Sequence, residues 1–276
     1  MKNNYESPLK IPEQKMGKFS IRHKLHPKGT ILDVVSMRTA LYSGCAPTKI
    51  QLSKDRTIHQ LLEDDGILMS DIPQEIYDHQ KPIENAHGDV LVGGLGICYY
   101  GSMIAKKKNV KSITIVEKEK DIIDMVQPYI PKRINVIHDD LFEYLKRPNI
   151  KSFDYAYYDI WYGTGEYTFK THVLPLKRLT YKYHGKKEID CWQEAVMMGQ
   201  IRQSVFNAYT FQFGELKHTT YDPIIHAFKN HLSFRGGYVN DREIINKYII
   251  HFLTNIGSND WETTWNWDKI LEECKS

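Results

Sequence analysis

The sequence lacks the features that mark membrane, secreted and nucleic-acid-binding chains. No apolar run reaches ten residues, so neither a membrane span nor the hydrophobic part of a secretory signal is predicted. The four cysteines form no CxxC pair, which argues against a disulfide framework or a zinc site and favours reduced thiols in a cytoplasm. A formal net charge of only +3 is too small to indicate nucleic acid or a membrane as partner.

A metal site is not expected either, although the chain contains 12 histidines. Those considered as ligands show no metal-binding spacing, and we expect surface or hydrogen-bonded roles for them (His79, His87, His138, His172 and His184). Hydrophobic residues make up 41% of the 276 residues, enough for one large domain or for a core with two modest appendages.

What is present is an alternation of short apolar runs and helical patterns between Gly88 and Asp159. The runs read GDVLVGGLG, IVEKEKDII, VIHDDLFEYL and FDYAYYDIW, and a helical pattern follows each of the first three. This rhythm predicts an α/β fold, with a Rossmann-like, mostly parallel sheet and flanking helices.

The flanking segments predict a small N-terminal β element and a helical C-terminal extension. We divide the chain into an arm with β-hairpins (1–70), the Rossmann-like core (71–190) and the extension (191–276). The first hairpin is predicted between FSIRHKL and TILDVVSM with Gly29 at the bend, and the second around Asp64-Asp65-Gly66. A helix capped by Ser70 or Asp71 follows, and the extension is predicted as three helices (Cys191–Phe206, Asp222–Phe234 and Asn240–Asn255).

Three glycines follow the first strand of the core, where the chain has to turn into a helix. Without side chains at Gly93, Gly94 and Gly96, a ligand can lie against the backbone, although such turns also arise for steric reasons alone. As a dinucleotide fingerprint the loop is incomplete, because Tyr99 occupies the position of the third glycine.

Acidic residues end the next three strands. Glu117 stands where a carboxylate can bind both hydroxyls of a ribose, or where it caps the following helix. Asp140 is placed to accept the adenine amino hydrogens; Asp139 competes with it, and either is also a candidate helix cap. Asp159 ends the fourth strand and faces the reacting end of a ligand. In parallel sheets ligands bind beyond the carboxyl ends of the strands, so the series predicts a nucleoside site.

These blocks resemble the S-adenosylmethionine-binding core of class I methyltransferases, with most likeness to the spermidine-synthase-like branch. The upstream stretch TIHQLLEDDGILMSDIPQEIYDH adds to the resemblance, which covers about residues 57–162. It implies S-adenosylmethionine as cofactor. It further implies that Gly93, Gly94 and Gly96 hold its methionine part, that Glu117 binds the ribose and Asp140 the adenine, and that Asp159 lies near the sulfonium.

The chain departs from the branch at two acids. Aminopropyltransferases carry an aspartate inside the glycine loop, where this chain has Ile97, and a D-x-x-D pattern where it has Asp159-Ile-Trp-Tyr162. Both departures disfavour polyamine synthesis. The D/N-P-P-Y/F/W signature of nucleic-acid base methylation is absent too. The layout MSD…H…GLG…E…D…DIW also resembles that of phage-encoded members of unassigned substrate.

The predicted function is therefore that of an S-adenosylmethionine-dependent methyltransferase, with Asp159 or Tyr162 as the base if the acceptor carries a proton. Three alternatives remain open: an aminopropyltransferase-like enzyme, an enzyme that degrades S-adenosylmethionine, and a nucleoside-binding protein without turnover. The expected binding partner is a small-molecule cofactor. We expect the protein in the cytoplasm and expect no membrane association. The acceptor substrate and the formation of a homo-oligomer stay open.

Overall fold

The computed structural model describes residues 8–165 and 168–200. Its N-terminal part contains six strands and two helices: β1 (Gln14–Met16), β2 (Phe19–His26), β3 (Ile31–Val35), α1 (Met37–Ser43), β4 (Thr48–Gln51), β5 (Arg56–Glu63), β6 (Gly66–Ser70) and α2 (Pro73–Asn85). Four of these strands form an antiparallel sheet in the order β1-β2-β5-β6, and β3 pairs with β4 apart from it.

The second predicted hairpin is confirmed, and the first is wrong. β5 and β6 pair around the turn at Asp64 and Asp65. β2, however, pairs with β5 over its whole length and makes no pair with β3. The chain does turn at Gly29, which has φ +90°. Beyond it, β3 leaves the sheet and pairs with β4, so neighbours in sequence are not neighbours in the sheet.

The predicted helix over α2 is confirmed, but its predicted caps are wrong. The residue before the helix is Ile72, which makes no side-chain cap, and Pro73 opens the first turn. Asp71 instead accepts hydrogen bonds from the backbone N–H of His59 (2.7 Å) and from its ring nitrogen Nδ1 (2.8 Å). Ser70 donates to Glu75 through both its N–H and its hydroxyl. Both candidates are thus engaged in joining the antiparallel sheet to α2.

The core is a five-stranded parallel sheet. Its elements are β7 (Gly88–Gly93), α3 (Tyr99–Ile104), β8 (Val110–Glu117), α4 (Lys120–Val126), β9 (Ile134–His138), α5 (Leu141–Leu145), β10 (Tyr155–Tyr158), α6 (Leu174–His184) and β11 (Glu188–Cys191). A single turn of 3₁₀-helix (Gln127–Tyr129) follows α4, and a π-helical turn (Phe169–Val173) leads into α6. The predicted Rossmann-like α/β fold is confirmed.

The strand order is β11-β10-β7-β8-β9, so the chain winds outward from β7 first in one direction and then in the other. β7 and β10 are the neighbours at which the winding reverses, and their register pairs Val92 with Tyr157 and Gly93 with Tyr158. Crevices that bind ligands open beyond the carboxyl ends of strands at such a reversal.

The two central strands of the parallel sheet, β7 and β10, are buried on both faces, which is why they carry almost no charged residues. Along β10, Tyr155 and Tyr157 pack into one hydrophobic cluster, and Ala156 and Tyr158 into the other. Phe153 packs with Ala156 and Tyr158, against the strict alternation of a strand, because it lies ahead of β10.

The first of these clusters also contains the buried face of the antiparallel sheet. Phe19, Ile21 and Leu61 share it with Val92 and Ile115 of the parallel sheet. The division of the chain at residue 70 stays a prediction. The predicted helices at Asp222–Phe234 and Asn240–Asn255, and the end of the one at Cys191–Phe206, lie outside the described residues. Within residues 8–165 and 168–200, no helix has the length and apolar character needed to cross a membrane.

Candidate functional site

A cavity of about 340 Å³ opens at the carboxyl ends of β7, β8, β9 and β10. Most of the predicted site residues line it: Gly94, Gly96, Glu117, Asp140, Asp159 and Tyr162. Its volume lies at the lower end of the range that small-molecule sites occupy. Leu61, Leu68 and Met69 of the hairpin formed by β5 and β6 line another wall of the cavity. Residues far apart in sequence thus meet at the edge of the sheet where ligands are expected.

The glycine loop is shaped by close contact with neighbouring backbone. Gly94 has φ +94°, and its N–H donates to the carbonyl of Val116 (2.9 Å). A Cβ atom at Gly94 would overlap the carbonyl oxygen of Asp159. Gly96 has φ +49° and lies against the sulfur of Met69. Only glycine combines such backbone angles with such proximity, so these two positions leave backbone exposed to the cavity.

Gly93 has a different place from its two neighbours. It ends β7, does not line the cavity, and its missing side chain leaves room for Leu141 at the start of α5. The helix that follows the glycine loop, α3, spans only Tyr99–Ile104. It starts late because Cys98, the residue before it, has left-handed backbone angles (φ 57°).

Glu117 ties the glycine loop to the end of β8. Its Oε2 accepts from the backbone N–H of Leu95 (2.8 Å), and its Oε1 from that of Glu119 (2.9 Å). The side chain is buried at the wall of the cavity. Each carboxylate oxygen has two lone pairs, so both still have capacity for a ligand hydroxyl.

Asp140 is the N-cap of α5. Its Oδ1 accepts from the backbone N–H groups of Phe142 (2.9 Å) and Glu143 (3.4 Å). Its Oδ2 lies 3.2 Å from the ammonium of Lys118 at the cavity wall. The carboxylate therefore caps a helix and faces the cavity, and the cap does not exclude a ligand. Asp139, its competitor, lines the cavity as well and pairs with Arg147.

Asp159 lies where β10 ends beside β7. Its backbone N–H donates to the carbonyl of Gly93 (2.9 Å), which holds the start of the loop at the centre of the sheet. Its carboxylate reaches the opposite side of the cavity, where Oδ2 lies 3.5 Å from Nε2 of His79 on α2. Tyr162, three residues on, also lines the cavity but is 71% exposed.

Sequence reasoning missed the contribution of α2 to the cavity. Glu75 and His79, one helical turn apart and therefore on one face, both line it, and Trp192 after β11 joins them. The spacing of an acid and a histidine four residues apart was the available signal. Whether these two side chains face the cavity depends on how α2 packs against the parallel sheet, which the spacing does not show. For the later description we call Gly94, Gly96, Glu117 and Asp140 the loop side, and Glu75, His79, Tyr157 and Asp159 the α2 side.

The α2 side carries perturbed acids. Burial raises the pKa of Glu75 to about 7, against the hydrogen bonds from Ser70 that favour its charged form. Burial also raises the pKa of Asp78 to about 6, although the amide of Gln193 donates to its carboxylate (2.6 Å). Groups whose pKa values approach neutrality inside a cleft are candidates for proton transfer.

Several buried polar atoms around the cavity have no hydrogen-bond partner in the part of the chain that the structure describes. They are His79 Nε2, Tyr157 Oη, Trp161 Nε1 and Trp192 Nε1, and all four residues line the cavity. An unpaired buried donor or acceptor costs about 1–3 kcal/mol, so such atoms usually have a ligand or water as partner. Among the described residues, no group of three or more His, Cys, Asp and Glu side chains is arranged to hold a metal ion.

Tyr162 is less suited than Asp159 to accept a proton. Partial burial and the nearby Glu63 carboxylate raise the pKa of its phenol, so the hydroxyl is protonated at neutral pH. A neutral phenol there donates hydrogen bonds, whereas a carboxylate accepts them.

Neither a protein-family model nor a curated protein matches the chain. Solved structures do resemble it. A spermidine synthase from Thermotoga maritima is 13% identical over 59% of this chain and 66% of its own, with a TM-score of 0.37. A spermidine synthase in complex with the transition-state analogue AdoDATO is 12% identical over 54% and 60%, with a TM-score of 0.37.

A putative S-adenosyl-L-methionine-dependent methyltransferase from Methanococcus maripaludis is 16% identical over 57% of this chain and 74% of its own, with a TM-score of 0.29. The chain spans less than two thirds of the length of either spermidine synthase. Likeness at these values does not decide what the protein does, which has to be argued from the site itself.

Proposed function

We propose that the protein is an S-adenosylmethionine-dependent transferase, and specifically a methyltransferase whose acceptor enters beside Asp159. The observation that carries the proposal is the convergence of four strand ends on one cavity, with bare glycine backbone, Glu117, Asp140 and Asp159 around it in chain order. Gly94 and Gly96 line the cavity and are partly exposed, so a ligand lying across the loop can contact their backbone.

The remaining residues match the parts of a nucleoside. Glu117 keeps lone pairs for two ribose hydroxyls, and Asp140 offers Oδ2 to an adenine amino group. A nicotinamide dinucleotide fits less well, because buried Tyr99 stands where the dinucleotide fingerprint has its third glycine, the one that lets the helix pack closely against the strand.

When bound, S-adenosylmethionine supplies a carbon already activated by its sulfonium, which leaves as a neutral thioether once the acceptor's lone pair forms the new bond. The protein's part is to hold the acceptor in line and to receive its proton. Asp159 is the group for the second task, since its carboxylate faces the α2 side of the cavity.

A second candidate is an aminopropyltransferase-like reaction on an amine. The two acids that such enzymes carry are missing from this sequence, but Glu75 stands in the cavity together with Asp159. Two carboxylates walled by Tyr100, Tyr157 and Trp192 suit a cationic group, which aromatic faces also attract. Amines therefore belong among the small-molecule acceptors in the turnover assay.

The first experiment is titration calorimetry with S-adenosylhomocysteine and with NAD. We expect binding of S-adenosylhomocysteine and none of NAD; tighter binding of NAD would overturn the choice of cofactor. Mass spectrometry of nucleosides that copurify with the protein adds a check without an acceptor. S-adenosylhomocysteine supports methyl transfer, and methylthioadenosine supports aminopropyl transfer or breakdown of the cofactor.

The second experiment follows release of product nucleoside with panels of small-molecule, protein and nucleic-acid acceptors. Asp159→Asn should keep cofactor affinity within about tenfold, or ~1.4 kcal/mol, while turnover falls much further. Asp154→Asn, at the other end of the same strand segment, is the matched control. Undiminished release in Asp159→Asn removes its catalytic role, and no release from the parent with any acceptor supports a binding protein.

A further inference from the structure

His79 is a buried group at the cavity that the proposed reaction does not yet use. It lies on α2 with 1% of its surface exposed. Three tyrosine rings surround it, with centroid distances of 5.7 Å to Tyr99, 6.1 Å to Tyr100 and 5.7 Å to Tyr157. A side chain enclosed in this way has one orientation, so what its two nitrogens face is determined by the fold.

The hydrogen bond at Nδ1 determines the protonation of the ring. Nδ1 lies 2.6 Å from the backbone carbonyl oxygen of Glu75. A carbonyl only accepts, so Nδ1 must carry a hydrogen. In the neutral ring, Nε2 would then be a bare acceptor.

Nε2 faces the carboxylate of Asp159. The distance to Oδ2 is 3.5 Å, which is an ion-pair distance but longer than an ordinary hydrogen bond, and within the described ranges Nε2 has no hydrogen bond at all. A bare nitrogen opposite a carboxylate places two acceptors together. Only the imidazolium form, with a hydrogen on Nε2, gives a favourable contact.

We propose that His79 is a positioning residue for Asp159: its imidazolium, held on the Glu75 carbonyl, anchors one carboxylate oxygen and leaves the other to receive the acceptor's proton. This inference rests on the proposed function. Catalytic hydrogen bonds are often long before ligands bind, so we expect the 3.5 Å contact to shorten in the complex.

The groups around His79 agree with a charged ring. On its own helix it faces Glu75 and Asp78, and from the end of β10 it faces Asp159. Burial by itself lowers the pKa of His79, but the Asp159 carboxylate and the bond to Glu75 outweigh it, and the pKa is raised.

The surrounding tyrosines add no competing charge. Burial raises the pKa of Tyr99 to about 12 and raises those of Tyr100 and Tyr157 as well, so all three are neutral phenols. The imidazolium is present below the raised pKa of His79. As pH rises through that value Nε2 loses its hydrogen, and Asp159 loses its anchor.

The direct test is a titration of the ring nitrogens by NMR in protein labelled with ¹⁵N-histidine. In the parent, we expect His79 to titrate at higher pH than an ordinary histidine, because the Asp159 carboxylate lies beside its Nε2. In Asp159→Asn the pKa of His79 should fall by about one to three units, the usual effect of losing an opposite charge at this range. An unchanged His79 titration would overturn the inference.

A pair of substitutions tests the role in turnover. An amide in His79→Gln lies near the position of Nε2 and can still donate to Asp159, whereas His79→Asn replaces only Nδ1. Both should bind S-adenosylhomocysteine like the parent, but kcat should be about tenfold higher in His79→Gln than in His79→Asn, with similar KM values. His87→Gln, two residues beyond the end of α2, is the control.

The pH profile gives a second reading of the same variants. The fall of kcat as pH rises through the pKa of His79 should be present in the parent and in His87→Gln, and absent in His79→Gln, whose donor does not titrate. Equal losses of kcat in His79→Gln and His79→Asn would indicate a purely structural histidine. No binding of S-adenosylhomocysteine by the parent would instead remove the proposed function, whatever the NMR titration gives.

Discussion

The two sides of the cavity differ in how their polar groups are used. On the loop side, Glu117 accepts two backbone hydrogen bonds and Asp140 caps a helix, so each carboxylate is already fixed by the protein itself. On the α2 side, Ser70 fixes the carboxylate of Glu75 in the same way, but Nε2 of His79 and the hydroxyl of Tyr157 have no hydrogen bond among the described residues.

The difference indicates a division of work between the sides. Groups that are hydrogen-bonded in advance bind a ligand with little further ordering, which favours affinity. Groups left without partners in a buried place are costly to the fold and become satisfied only when something binds, which suits the part of a site that changes during a reaction. The comparison predicts that loop-side substitutions lower affinity or stability, and that α2-side substitutions change pH dependence and turnover.

Gly94→Ala should have the largest effect. The new methyl group would overlap the Asp159 carbonyl oxygen on backbone with φ +94°, and strain and overpacking together should cost about 3 kcal/mol or more in free energy of unfolding. Chemical denaturation measures it. Gly66→Ala is the matched control, because a Cβ there meets only Glu63 O at an ordinary 3.5 Å. Equal stability of the two variants would contradict the loop geometry described here.

Glu117→Ala should weaken the binding of S-adenosylhomocysteine by about 1.5–3 kcal/mol, the scale of lost hydrogen bonds to a charged group. Part of the loss comes from the loop, since Leu95 loses the acceptor of its N–H. Calorimetry measures the affinity, with Glu143→Ala, an exposed glutamate on α5, as control. Binding as tight as the parent's, or an unfolded variant, would make Glu117 a structural residue only.

Glu75→Gln should change the pH dependence of stability by up to about 3 kcal/mol, at roughly 1.4 kcal/mol for each pH unit between the pKa values of the free and the folded chain. The pKa of Glu75 is raised from 4.5 in a free chain to about 7 in the fold, so the folded state holds its proton more tightly. Its contribution to stability is complete below about pH 4.5 and is lost as pH rises through about 7.

Urea unfolding at several pH values tests this, because glutamine keeps the contacts to Ser70 without titrating. The difference between parent and variant should shift in the variant's favour across that window, while Glu84→Gln, an exposed acid on the same helix, should show no such shift. A difference that is independent of pH would place Glu75 in a more solvated environment than the structure gives it.

Substitutions of Asp140 should have the smallest effect on stability. They separate its role as a helix cap from a role in binding adenine. Asp140→Ala removes the cap of α5 and should cost about 1 kcal/mol of stability, whereas Asp140→Asn keeps it, since asparagine caps as well as aspartate. If Asp140 also accepts the adenine amine, Asp140→Asn should lower affinity without lowering the melting temperature. Unchanged affinity in Asp140→Asn would leave Asp140 as a cap alone.

The sequence predicted well what depends on local pattern. The alternation of apolar runs and helical patterns predicted the parallel sheet, and the turn at Asp64 and Asp65 joins β5 to β6 as expected. Prediction failed where pairing is non-local: β2 pairs with β5, and the paired residues lie 30 to 44 positions apart in sequence. The short helix α1 was also missed, although Ser36 caps its start and Gly44 its end. The site followed the same rule, since strand-end acids are placed by the parallel sheet, whereas Glu75 and His79 enter through the packing of α2.

The hydrophobic cluster shared by the antiparallel and parallel sheets has a consequence for folding during synthesis. It joins Leu9 and Phe19 near the start of the chain to Tyr157 at the end of β10. A ribosome adds about 5–20 residues per second, so the antiparallel sheet, complete at Ser70, waits roughly 4–18 s until β10 ends at Tyr158. During that interval the nascent chain exposes an apolar surface that can aggregate or bind chaperones. Destabilising substitutions in β2 or β5 should therefore lower the yield of folded protein mainly at this stage of synthesis.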